Sequence, residues 1–512
     1  MSQESVPVGQ RDPRRWWALA ALSLAVLLVA VDNTILALAI PSLSADLAPT
    51  PTELLWIGDI YSFVLAGLLI TMGNIGDRIG RKRLLIIGLV FFGLVSVLAA
   101  FSPTAATLIA SRALLGVAGA TLMPSTLSLI RHTFPDAKER SFAIGVWAAV
   151  AAAGGGLGPL LGGVLLEHFW WGSVFLVNVP IVIVIIGIGW WALRESRNPN
   201  PGPIDLLSVA LSLVGIIAFI AGVKELAISG LGNTDAWAML VVGIALMVWF
   251  ARRQLYLETP LIDIRLFRIP AFGGAVSADL ISVFGLMGVY FFLAQQFQLA
   301  LGDSPLQAGF QLLPAEIGAL VGALSASRII AIYGRRMAIG GGITLGAFGL
   351  LILGLVHATG VAPVTFAIVL VGLGFGVSLT GTSDAILAAA PPDRAGAAAA
   401  VSETAYELGA ALGIAILGTV LGAYYRAIVV VPAGLPTDAS AAVDDSLSST
   451  VGAIAEQPQD IADQMLLAAR TAFTDAFSVT SIVAAVICFA GAIVAFRVLP
   501  TKAEERQVLI DH

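Results

Sequence analysis

Gly73-Asn-Ile-Gly-Asp-Arg-Ile-Gly-Arg-Lys-Arg83 separates two apolar runs, each long enough to cross a bilayer. Gly73, Gly76 and Gly80 allow the backbone to reverse sharply. Arg78, Arg81, Lys82 and Arg83 favour holding that reversal on the cytoplasmic side of a membrane. Composition agrees with a chain that crosses lipid repeatedly. Of 512 residues, 58% are hydrophobic and 12% charged, with a mean hydropathy of +0.94. No water-soluble core absorbs so much apolar surface, so lipid is the solvent. The net charge of -6 says little, because the placement of each sign matters more than the sum.

Several classes are excluded at once. A single cysteine, Cys488, rules out a disulfide framework. His132, His168, His357 and His512 are scattered without metal-ligand spacing, so no metal site and no cofactor is expected. There is no G-x-x-x-x-G-K-[ST] phosphate loop, no H-E-x-x-H and no serine paired with a histidine base, and an enzyme is not expected. Nothing points to nucleic acid.

Apolar stretches recur near 17–39, 54–74, 84–101, 107–130, 141–166, 173–193, 205–222, 236–251, 271–294, 309–332, 337–356, 362–388, 400–423 and 475–496, which predicts fourteen spanning helices. The first run, about 23 residues long, exceeds a signal-peptide core and reads as a retained span. An even count puts both termini on one side. With the N-terminus cytoplasmic, about 23 of the 27 Lys and Arg residues fall in cytoplasmic segments, while Lys224, Arg426 and Arg470 fall outside. Arg112 alone lies inside a span. A polar segment at about 425–472, broken by Pro432, Pro436 and Pro458, lies outside and reads either as a surface insertion or as a partly helical cap.

The chain divides as six plus two plus six: residues 1–198, two inserted helices at 199–260, and 261–512. Ile332 to Met337, I-Y-G-R-R-M, stands where the Arg-rich turn stands in the first half. Two six-helix halves suit a transporter that rocks about a central site.

Four stretches carry a family resemblance: V-D-N-T-I-L-A-L-A-I-P from Val31 to Pro41, the turn from Gly73 to Arg83, L-I-A-S-R-A-L-L-G from Leu108 to Gly116, and G-G-G-L-G-P-L-L-G-G from Gly154 to Gly163. Together they resemble the major facilitator superfamily, specifically its fourteen-span drug/proton antiporter branch of bacterial multidrug exporters. The resemblance implies an all-α integral membrane protein with two six-helix bundles and two inserted helices. It also implies a monomeric secondary transporter of the bacterial cell membrane, with protons and lipophilic cations as partners. On this pattern Gly73, Asp77, Arg78, Gly80 and Arg81 form the gating turn, with Asp77 and Arg78 at its charged centre. Gly154, Gly158, Pro159 and Gly162 belong to the motif associated with export; physically they suit a helix that bends or admits a close neighbour.

Ionisable groups in hydrocarbon are costly and therefore functional candidates. Asp32, about 24 Å above the start of the first span at 1.5 Å per residue, is expected to couple to protons beside Arg112. Asp59, Glu316 and Glu407 are expected to bind substrate, with Glu403 one turn from Glu407 but close enough to the surface to be hydrated. These acids, Asp32 beside Arg112 apart, are expected to lack fixed counter-ions. Trp56, Tyr61, Phe310 and Tyr406 are candidates for cation-π contacts with a drug. Asp279 and Asp384 are expected to be structural or peripheral. Export of an endogenous lipid, siderophore or antibiotic is the alternative cargo.

Overall fold

The computed structural model describes residues 13–504 apart from 48, 50, 198–204, 230–231, 259, 304, 357–359, 392–394, 433–434, 455–456 and 503. Every regular element among them is helical, and 14 helices are long and apolar enough to cross a membrane. Spans 1 to 6 are Arg15–Leu47, Pro51–Ile79, Arg81–Ala100, Ala105–Thr133, Ala137–His168 and Asn178–Ala192, the last preceded by a single turn at Ser173–Leu176. Spans 7 and 8 are Leu206–Ser229 and Thr234–Tyr256. Spans 9 to 14 are Pro270–Gln295, Pro305–Tyr333, Arg335–Val356, Val361–Ala389, Ala395–Ile428 and Gln459–Val498.

Local chemistry sets several of the breaks. Gly80 takes φ 115°, a backbone conformation that side chains disfavour, and so divides span 2 from span 3. The Glu195 carboxylate then accepts from the main-chain N–H groups of Lys82 and Arg83 at 3.1 and 3.2 Å, satisfying donors that the new helix leaves bare. Thr104 and Thr107 form a capping box ahead of span 4, and the Asp136 side chain accepts from Lys138 and Glu139 at the start of span 5. Successive spans alternate direction, so both ends of the described chain lie on the face that carries the Gly73–Arg83 turn.

Spans 1 and 5 pair, as do 2 and 4, within the first half; 9 and 13, 10 and 12, and 11 and 14 pair within the second. The halves meet where span 5 lies on span 10 and where span 2 lies on span 13. Spans 7 and 8 form a hairpin, and span 7 leans on both span 2 and span 13, straddling one seam between the halves. Leu213 of span 7 fills the space a side chain would take at Gly67 of span 2. Arg253 and Ser208 hydrogen-bond to Asp205 at the foot of the hairpin, and hold its carboxyl down at about 2. Asn74 donates to the Leu261 carbonyl at 2.6 Å, and Leu261 N–H donates to Gln254 at 2.7 Å, so the hairpin and the Arg-rich turn meet at one residue.

The polar segment expected at 425–472 is largely helical. Short helices Thr437–Asp445 and Leu447–Ala453 precede span 14, which begins 16 residues before the expected 475. Ala439, Val443 and Met465 make a small apolar core there, and the Tyr425 hydroxyl donates to the Val443 carbonyl at 2.8 Å. Apolar contacts, invisible in the polar composition, keep these turns folded.

The glycines of span 5 face their neighbours unequally. A Cβ on Gly158 would meet Thr34 Cβ at 3.0 Å and the Ile35 nitrogen at 3.2 Å, both on span 1, whereas one on Gly155 would meet nothing within 4 Å. The motif therefore seats span 5 on span 1. Gly158→Val is expected to cut transport by at least tenfold at normal membrane abundance, while Gly155→Ala stays within about twofold; matched rates for the two variants would refute close packing as the motif's role.

Candidate functional site

Asp32 lies in the middle of span 1 with 0% of its surface exposed, and so does Arg112 in span 4. Arg112 Nη1 donates to Asp32 Oδ2 at 2.9 Å. The other carboxylate oxygen accepts from Asn178 Nδ2 of span 6 at 2.7 Å, and the same amide reaches Ser96 Oγ of span 3 at 3.3 Å. Arg112 Nε donates to the Ile57 carbonyl of span 2 at 3.3 Å, and its guanidinium carbon stands 4.6 Å above the Tyr61 ring. Spans 1, 2, 3, 4 and 6 thus each supply a group to one buried chamber. Three atoms of that chamber, Arg112 Nη2, Tyr61 Oη and Asn178 Oδ1, are buried without a protein partner.

The second half holds carboxylates of another kind. Glu316 of span 10 accepts from the Tyr290 hydroxyl of span 9 at 2.8 Å. Asp279 of span 9 is buried and accepts from Thr382 at 2.5 Å and from Ser402 at 3.4 Å. Glu403 of span 13 is only 6% exposed, and its charge acts on those of Asp279 and Glu407. Tyr406, one residue before Glu407, lies within the field of Glu407, Glu403, Glu316 and Asp279. Glu407 also acts on Tyr61, which brings the two groups of acids within electrostatic reach across the seam of spans 2 and 13. Among the described residues, Asp279, Glu316 and Glu403 have no cationic partner. Gly156 of span 5 looks across at Glu316, 4.0 Å from where its Cβ would stand.

The face with the Arg-rich turn is fastened across the halves. Asp77 accepts from Arg81 at 2.8 Å and, through its other oxygen, from the Ala397 main-chain N–H at 3.3 Å. Arg131 of span 4 donates to the Ala390 carbonyl at 2.7 Å. Asp384 of span 12, fully buried, takes Arg140 of the first half at 3.3 Å and Arg335 of the second at 2.9 Å.

The model of the Major Facilitator Superfamily matches residues 22–413. The chain belongs to that superfamily. It is 46% identical to the multidrug efflux pump LfrA of Mycolicibacterium smegmatis over 493 residues, 96% of this chain and 98% of that protein. It is 38% identical to the methyl viologen resistance protein SmvA of Salmonella typhimurium, over 91% of this chain and 94% of that one. Among solved structures, the proton:xylose symporter XylE shares the fold with a TM-score of 0.59 at 14% identity, over 98% of this chain and 100% of the other. The chain is thus a multi-pass transporter of the superfamily's multidrug-efflux branch and not an enzyme.

Several expectations change against this geometry. In the gating turn Asp77 pairs with Arg81 across the break at Gly80, and Arg78 beside them is exposed. Glu403 is buried rather than hydrated, since spans 2, 4 and 9 close over the start of span 13. Of the two acids expected to be structural or peripheral, Asp279 is internal, and Asp384 is structural, fastening the two halves. Gly73 and Gly162 are buried, and Gly154 packs on Ala30 and Leu27 of span 1. Tyr61 is buried with Arg112 over its ring, Trp56 is 42% exposed and stacks edge-on against Phe63, and Phe310 is 57% exposed. The side chains of Asp59 and Pro159 lie outside the described residues. An open pocket of about 270 Å³ in the second half is lined by Gln296, Phe297, Gln311 and Phe477 and by no carboxylate.

Asn178 escaped the sequence reading. It opens the apolar run Asn178–Ala192 two residues before Pro180, and a lone amide in such a run was the available signal.

Replacing the Asp384 carboxylate by an amide removes the charge and turns an N–H2 donor toward one of the two guanidinium groups, at a cost of about 1.5–3 kcal/mol for the charge-assisted hydrogen bond lost. Asp384→Asn is therefore expected to speed alkylation of a cysteine placed between spans 5 and 12 by about tenfold, at 1.4 kcal/mol per tenfold; an unchanged rate would show that the buried pairs do not hold this face shut.

Proposed function

We propose that the protein is a proton-coupled antiporter that exports lipophilic cations from the bacterial cytoplasm by alternating access, as a monomer in the cell membrane with both termini inside. The observation that carries this reading is the difference among the charges buried in the bundle away from the clamp at Asp384. In the first half Asp32 is matched by a guanidinium. In the second, Asp279, Glu316 and Glu403 have only hydroxyl neighbours or none among the described residues. Uncompensated carboxylates in an apolar bundle favour a guest that brings positive charge together with apolar surface, and a proton satisfies the same groups.

Proton and drug then compete for the acids. With Asp77, Arg131 and Asp384 fastening the cytoplasmic face, the acids are cut off from the cytoplasm, and in this mechanism protons load and drug leaves on the outer side. Parting of that face exposes them to the cytoplasm. Each net charge moved gains about 2.3 kcal/mol per 100 mV, so exchange of more protons than drug charges draws on voltage as well as on the pH gradient. Similarity to LfrA, a multidrug efflux pump, supports a broad range of cargo. Similarity to a protein named for resistance to methyl viologen, a dication, supports cationic cargo.

Reconstituted vesicles with an imposed pH gradient test this directly. Ethidium and a dicationic dye are expected to move against an inward proton flux and an anionic dye is not; preference for the anion would overturn the substrate class. Asp32→Asn is expected to lose at least tenfold of gradient-driven transport while remaining folded, and near-normal transport would remove Asp32 from the mechanism. Glu316→Gln or Glu407→Gln is expected to reduce dication transport more than monocation transport, with equal losses marking these acids as structural.

A further inference from the structure

The chamber around Asp32 shows one protonation state and contains the means to hold the other. Both carboxylate oxygens accept from groups that can only donate there, Arg112 Nη1 at 2.9 Å and Asn178 Nδ2 at 2.7 Å. A carboxylic acid carries its proton on one of those oxygens and needs an acceptor for it. The arrangement is therefore that of ionised Asp32. Arg112 offers no acceptor in any orientation, but Asn178 does: its Oδ1 is buried and has no protein partner. A half-turn about the last side-chain bond, a soft two-fold rotation, exchanges the amide's donor and acceptor ends.

We propose that Asn178 is the residue that senses the proton on Asp32, its amide donating to the carboxylate when Asp32 is ionised and accepting the carboxyl O–H when Asp32 is protonated. The step balances simply. A proton from water adds to Oδ1 of Asp32, the Asp32–Arg112 attraction falls from ion–ion to ion–dipole, and the amide rotates to accept the new O–H. Ser96 Oγ, 3.3 Å from the amide, accepts from Nδ2 or donates to Oδ1 and so accommodates both orientations. Arg112 retains the Ile57 carbonyl and the Tyr61 ring when its counter-ion is neutralised. Among the described residues, Tyr61 Oη of span 2 also lies in the chamber, and Glu407 of span 13 acts on Tyr61 from across the seam. Asn178 is thus a positioning residue, the contact through which proton arrival at span 1 is passed to span 6.

The proposal rests on the antiport reading, and the test separates the two. Vesicles with wild-type protein, Asn178→Leu and the smaller Asn178→Ala are compared in two assays: ethidium movement driven by an imposed pH gradient, and exchange of labelled for unlabelled tetraphenylphosphonium without a gradient. Exchange moves the cation both ways and needs no net proton transfer. Both variants are expected to lose at least tenfold of driven transport while exchange stays within about threefold of wild type. Driven transport within twofold of wild type in either variant overturns the proposal, as does a parallel loss of both activities, which marks Asn178 as merely structural. Absence of driven transport in the wild type sinks the antiport reading instead.

Discussion

An aspartate and an arginine, neither with any surface exposed, meet at 2.9 Å in the middle of an apolar bundle. Removing two charges from water costs several kcal/mol each, and their attraction offsets that only with good geometry and with the remaining hydrogen-bond capacity satisfied. Much of the first half is arranged to meet those terms. Span 6 brings the Asn178 amide, span 3 the Ser96 hydroxyl, and span 2 a carbonyl and an aromatic face. The glycines of span 5 let it lie directly on span 1 within one turn of Asp32.

The second half solves a different problem. Away from the clamp at Asp384, Glu316 and Asp279 lean on hydroxyl groups, which hydrogen-bond a carboxyl in either charge state. A guanidinium commits its partner to one state, whereas threonine, serine and tyrosine do not. The asymmetry separates a carboxylate held by a guanidinium from carboxylates that are not, and Tyr61 and Glu407 bring the two groups within each other's field.

Most of this fold was legible because lipid leaves so few ways to satisfy a backbone: runs of about 20 apolar residues could only be helices. The fourteen spans, the pairing of Asp32 with Arg112 and the importance of the Gly73–Arg83 turn followed from that constraint and from the motifs. What stayed hidden depended on neighbours distant in sequence. Span 14 begins at Gln459, through residues as polar as Asp460 and Asp463, because Met465 finds Ala439 and Val443. The burial of Glu403 comes from helices that cover it, and no pattern within span 13 records them. Asp384 read only as structural or peripheral, and its part in joining the halves stayed hidden because its two arginines lie 244 and 49 residues away.

The bonds that clamp the Arg-rich face are unequal in what they ask of each half. Asp77 grips a main-chain N–H of Ala397, and Arg131 grips the main-chain carbonyl of Ala390. The opposing partner in both is backbone, which any residue but proline supplies at the first position and any residue at all at the second. Sequence drift at 390 or 397 therefore leaves these two grips intact, whereas loss of either side chain from the first half breaks one outright. Mutational vulnerability is concentrated on one side of the clamp, with Asp384 the second half's exposed liability.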